Sequence, residues 1–126
     1  MRRTTAVAGL VLAATLTATG CGASPDREDE QRLTELRREY CLRLGEWQDA
    51  RKAPGARTPD TPAYRKLEPA AEEAFRAVRP LREEGVQGGR TLGEETWQVI
   101  RDDDAQAERH VEQYCADAHF ETLVGG

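Results

Sequence analysis

The sequence predicts an all-α fold: a small three-helix, up-down-up bundle with one disulfide, following a cleaved signal peptide. Three observations lead there. From residue 26 onward, apolar residues recur at spacings of three and four, the period of helices that bury one face. No stretch alternates apolar and polar residues as a half-buried strand would. An uncharged apolar run behind Arg2 and Arg3 has the build of an export signal, which places the cysteines in an oxidising compartment.

The first element is that signal, residues 1–20. Arg2 and Arg3 supply its positive end, and Ala6 to Thr19 form an apolar segment without a charge. Signal peptides carry an apolar stretch of about 7–15 residues, whereas a spanning helix needs roughly 20. The residues after Arg2-Arg3 lack the apolar positions of a twin-arginine signal. Gly22, Ala23, Ser24 and Pro25 then lead into a charged run, so residues 21–26 read as a short tether.

The residues ATGC at 18–21 carry a resemblance. They are similar to the lipobox of bacterial lipoproteins: Thr19 and Gly20 fit the small positions before the cysteine, while Ala18 stands where the family most often has Leu. The resemblance covers only about the first 22 residues. It implies cleavage before Cys21, a diacylglycerol on the Cys21 sulfur, and anchorage on the extracytoplasmic face of the cell membrane. Two acyl chains suffice for stable anchoring, where one gives only marginal binding. Nearly all basic residues are Arg, with Lys52 and Lys66 the only lysines. With the lipobox, this composition resembles small actinobacterial lipoproteins.

The formal net charge is −5, and loss of Arg2 and Arg3 makes the mature chain more acidic still. An acidic chain excludes nucleic acid as a broad-surface partner. The three cysteines are an odd number. With Cys21 taken by the lipid, Cys41 and Cys115 remain. In an exported domain the pair reads as a disulfide; two buried thiols or two metal ligands are the alternatives.

Residues 27–120 are expected to form the bundle. In the first helix Leu33, Leu36, Tyr40, Leu44 and Trp47 share one stripe. Asp26, Glu28, Asp29 and Glu30 crowd its start, where the helix dipole favours negative charge, and Arg51 and Lys52 lie in its last turn before Pro54-Gly55. In the second, Thr61 caps and Pro62 takes the first helical position. Tyr64, Leu67, Ala71, Ala74, Val78 and Leu81 form its stripe, with Pro69 and Pro80 off it. Pro69 is either a kink or the start of the helix after an irregular turn. The third helix opens on a capping box, Thr91 with Glu94. Its stripe runs Trp97, Ile100, Asp104, Ala107, Val111, Tyr114 and Ala118. Residues 121–126 read as a flexible tail.

In an up-down-up bundle the first and third helices run parallel. Cys41 and Cys115 then sit at heights that differ by roughly 13 Å at 1.5 Å per residue. Either the glycine-rich loop near residue 88 drops, or the third helix breaks at Asp102-Asp103-Asp104, since Asp is a poor interior helix former.

Few residues suggest chemistry. Three consecutive carboxylates on a helix point 100° apart and do not converge on one ion, so Asp102–Asp104 reads as a solvated face. Asp104 falls on the core stripe, which predicts a buried carboxylate paired with Arg37 or Arg43. His110 and His119 are nine apart and read as surface histidines. No metal or cofactor is expected, and no Ser-His-Asp or Cys-His set is available once the cysteines are assigned. Trp47 and Trp97 are the candidate interaction residues. The function expected is that of a lipid-anchored, non-enzymatic binding or interaction module at the cell envelope, contacting another envelope protein. A small-ligand groove between helices, or a plain secreted helical protein, are the alternatives. Oligomeric state is not readable from the sequence.

Overall fold

The computed structural model describes residues 25–125; the expected signal peptide and Cys21 lie outside them. The described chain is all-helical: α1 (Pro25–Lys52), α2 (Pro62–Val78), α3 (Leu92–Asp102) and α4 (Ala105–Asp117), with short 3-10 turns at Arg79–Leu81, Gln87–Gly89 and Glu121–Leu123. No strand occurs among the described residues, only an isolated antiparallel bridge between Gly85 and Thr91.

Four helices replace the three expected, because the third breaks. Asp103 adopts the left-handed conformation (φ 54°, ψ 38°) and ends α3, one of the few non-glycine residues that tolerate it. Asp104 is extended, and its carboxylate accepts from the backbone N–H groups of Gln106 (2.9 Å) and Ala107 (3.0 Å), capping α4. Those N–H bonds, that of Ala107 first, hold the Asp104 carboxyl below its usual range. Asp104 is therefore a cap at the surface, contrary to its expected place in the core. The expected partners bond elsewhere: Arg37 to Glu84 (2.5 Å), and Arg43 to Glu39 and Glu46. The three-four spacing ran on through the break by coincidence of register.

The break also removes the mismatch in height. Contacts between α1 and α4 pair falling with rising numbers: Arg51 with Glu108, Gln48 with Glu108 and Glu112, Cys41 with Cys115. The helix that carries Cys115 thus runs antiparallel to α1. The architecture is up-down-up-down, with α3 paired to α2 (Glu68 with Arg101, Phe75 with Trp97) and to α4. Cys41 and Cys115 form a disulfide at a Cα separation of 5.9 Å.

Local signals at the helix starts are observed as read. Thr61 Oγ1 accepts from Tyr64 N–H at 3.0 Å, with Pro62 in the first turn. Thr91 and Glu94 form the reciprocal capping box. Pro69 lies on the exposed side of α2, which continues through it to Val78, and Pro80 falls in the 3-10 turn that follows.

The core joins Tyr40, Leu44 and Trp47 of α1 to Ala71 and Val78 of α2, Leu92 and Val99 of α3, and Val111 of α4. Full burial of each large apolar side chain contributes roughly 1.5–3 kcal/mol. The Tyr40 hydroxyl reaches across the bundle to Thr96 Oγ1 at 2.6 Å, so its polar atom is satisfied, and burial pushes its pKa far up. Below the disulfide, Arg37 and Tyr114 both donate to Glu84 and tie the connection after α2 to α1 and α4.

The C-terminal segment, read as a flexible tail, packs Leu123 and Val124 against the core, and Gly125 N–H donates to Gln48 Oε1 at 3.0 Å. Gly45 makes room for it. A Cβ at that position would lie 1.8 Å from the Leu123 carbonyl oxygen.

Two outcomes follow from this packing. The disulfide closes a loop of 74 positions, and replacing both cysteines by Ser is expected to lower the unfolding free energy by about 2–4 kcal/mol; an unmoved urea midpoint would contradict this. Gly45→Ala forces the tail off α1 at a cost of about 1–3 kcal/mol. Amide exchange at residues 121–125 is the readout, and protection equal to that of the parent protein would refute the close contact.

Candidate functional site

The end of the bundle farthest from the start of α1 carries a cleft of about 280 Å³. Each wall comes from a local sequence rule. Trp47 and Arg51 lie four apart on α1 and share a face. The turn after α1 uses Gly55 at φ +84°, tucks Ala56 inside and presents Arg57. Tyr64, Leu67, Glu68 and Ala71 follow at helical spacing on α2. The last turn of α3 adds Ile100 and Arg101, and Asp103 closes the rim.

Three guanidiniums meet three carboxylates here, Glu68 and Asp103 on the lining and Glu108 behind it. Arg51 and Arg57 both reach Asp103, at 3.3 and 3.2 Å on different oxygens. Arg51 also donates to Glu108 at 2.6 Å and lies over the Trp47 ring, 4.5 Å from its centroid. Arg101 makes a two-pronged pair with Glu68 at 2.8 and 3.1 Å. That pair holds the Glu68 carboxyl below its usual range. The left-handed backbone of Asp103 thus has a second consequence, since it carries this carboxylate between two arginines.

An aromatic seam adjoins the cleft through Arg101. Trp97 packs on Phe75 with ring centroids 5.5 Å apart, and the Arg101 guanidinium lies over both rings at 5.1 and 5.8 Å. Trp97 is 54% exposed and Tyr64 is 46% exposed, and these are the exposed large apolar side chains among the described residues. The two candidate tryptophans have different places. Trp47 is buried and forms part of the cleft wall, while Trp97 stands outside on the seam. Trp97 also sits at mid-height, since its neighbour Thr96 bonds Tyr40.

A second cavity, about 240 Å³, lies between α3 and α4. Glu95 there is only 2% exposed, and its carboxylate faces His110 Nδ1 at 3.3 Å. This forms an ion pair when the ring is protonated; the alignment makes no hydrogen bond, and Nδ1 has no other partner. Sequence reasoning missed Glu95 and read His110, which is mostly buried here, as a surface histidine. It took Trp97 and Ile100 for the core stripe of α3, whereas the fully buried stripe is Leu92, Glu95, Thr96 and Val99. The signal was the equally regular three-four spacing from Leu92, passed over because two of its members are polar. Among the described residues no group of three or more His, Cys, Asp or Glu could hold a metal ion, and no helix is long and apolar enough to cross a membrane.

Comparison of the chain with protein-family models, curated proteins and solved structures finds no match.

The Glu68–Arg101 pair has a pH signature. A depressed folded-state pKa means that the pair stabilises the seam above the ordinary glutamate range, about 4.3. That contribution fades as pH falls through the folded value. A carboxyl NMR titration is expected to place Glu68 below the ordinary range and to return it upward in Arg101→Gln. A Glu68 midpoint unaffected by that substitution would show that the pair does not form in solution.

Proposed function

We propose that the chain is an exported, non-enzymatic binding module, held at the extracytoplasmic face of the cell membrane by a lipid on Cys21. In this reading it contacts another envelope protein through the α2–α3 seam and the adjoining cleft. The observation that carries the reading is the exposure of Trp97 on the seam and of Tyr64 on the adjoining cleft, with Arg101 lining the cleft and lying over Trp97. Trp, Tyr and Arg dominate the energetics of protein interfaces, and a solvated Trp has no folding role that requires its exposure. Geometry relative to the anchor supports it too. From Pro25 to Arg51, α1 rises about 39 Å at 1.5 Å per residue. The first turns of α1 are exposed and lead toward Cys21, so they act as a stalk, and the cleft opens at the opposite end.

One experiment on intact cells tests both halves. A photoreactive amino acid at position 64 is expected to capture one discrete envelope protein. Adding Trp97→Ala should weaken that capture about tenfold or more. Adding Cys21→Ser should release the protein from the membrane fraction. Capture indifferent to Trp97→Ala refutes the interface, and unchanged membrane retention of Cys21→Ser refutes the anchor.

A further inference from the structure

We propose that the cleft at the far end of the bundle binds a small organic carboxylate with an apolar, ring-sized body. The inference rests on the reading that this end of the molecule is its binding face, and it names the chemistry of one occupant. Four observations carry it.

Size comes first. A cleft of about 280 Å³ stands at the lower edge of small-ligand sites, roughly 300–1,000 Å³. One ring with a short arm fits; a nucleotide does not. Second, the wall is apolar where it is deepest: Trp47 and Ala71 are both buried core residues, and Leu67 and Ile100 are packed against that core. An apolar body placed there is removed from water on several sides.

Third, the cations on the rim are all guanidiniums. Arg51, Arg57 and Arg101 line the cleft with Glu68 and Asp103, and Glu108 balances Arg51 from behind. Each guanidinium repels an ammonium ligand and offers a planar fork that matches a carboxylate. Fourth, the site already shows how it would hold that group. Asp103 places one carboxylate between the guanidiniums of Arg51 and Arg57, a bridging geometry that planar forked donors provide and an ammonium does not. Arg57, paired with Asp103, is 73% exposed on its turn, where an incoming anion can reach it from the solvent side, while Arg51 is held over Trp47 and braced from behind by Glu108. Asp103 is then both the guide to the ligand and its competitor.

Competition makes the inference testable in two directions. The probes are phenylacetate, its neutral isostere phenylacetamide, and the cation 2-phenylethylamine, titrated into the full chain with the Trp indole N–H resonances as the readout. Phenylacetate is expected to shift the Trp47 signal saturably at millimolar concentrations. Phenylacetamide and the amine should bind at least about tenfold more weakly, the scale of a charge-assisted bond. Arg57→Gln should weaken phenylacetate about tenfold and leave phenylacetamide unchanged. Asp103→Asn should tighten phenylacetate, because Asn keeps the left-handed turn and no longer competes for the guanidiniums. A merely structural role for Asp103 predicts no such gain, and circular dichroism verifies that the helices persist.

Equal binding of acid and amide, no saturable Trp47 shift, or no gain in Asp103→Asn would each overturn the proposal. Trp97→Ala separates this site from the protein interface. It should leave phenylacetate binding intact while it removes partner capture on cells. Phenylacetate binding without partner capture keeps the carboxylate site and discards the interface, and the reverse discards the carboxylate site alone.

Discussion

At Asp103 and Asp104 two adjacent aspartates do opposite things to one helix. The first takes a left-handed backbone and ends α3; the second turns extended and caps α4 with its carboxylate. The chain reverses within two residues, and most of the remaining structure depends on that reversal. It directs α4 antiparallel to α1, which brings Cys115 level with Cys41. It sets Glu108 and Glu112 beside Gln48 and Arg51. It also delivers the Asp103 carboxylate to the rim of the cleft. Neither aspartate is well suited to a helix interior, and each suits the position it holds, because short polar side chains compensate the backbone groups that a helix end leaves unpaired.

A domain of this size has a modest core, so its covalent and polar ties weigh heavily. Net stabilities of small domains are only about 5–15 kcal/mol, and closing a loop of 74 positions is worth up to about 4.5 kcal/mol in the chain-entropy account. The bridge joins the longest helix to the last one. Around it, Tyr40 bonds Thr96 alongside, and Arg37, Tyr114 and Glu84 interlock below. The tail then returns across Gly45 to Gln48. The middle of the bundle is thus tied on several sides, whereas the outer rim of the cleft is held by the exposed pairs Arg57–Asp103 and Arg101–Glu68. Such exposed pairs contribute little to stability.

That division of labour accounts for the arrangement of aromatic and basic groups. Trp47 is part of the core and of the cleft at once, so a ligand there would rest on a rigid wall. Trp97 stands on the outer seam, where Arg101 covers Trp97 and Phe75 with a flat cation, and Tyr64 stands exposed on the cleft beside it. The buried Glu95 and its neighbour His110 form a separate polar contact between α3 and α4. It places polar side chains between the two short helices where apolar residues would have packed.

The sequence by itself determined the helical class, the caps at Thr61 and at Thr91 with Glu94, and the face of α2 that turns inward. These are local or periodic features, and the chemistry of a few neighbouring residues decides each one. Only the tertiary structure decided that α3 turns Leu92, Glu95, Thr96 and Val99 inward and leaves Trp97 outside. Both stripes have helical spacing, and the choice between them depends on which neighbours the helix meets, here Tyr40 for Thr96 and His110 for Glu95. The fourth helix was legible only as one option, because the three-four pattern carries across Asp103 and Asp104 without a visible interruption. The cleft was not legible at all. Its residues come from four separate stretches of chain, and an inventory of arginines and aromatics does not say which of them a fold will bring together.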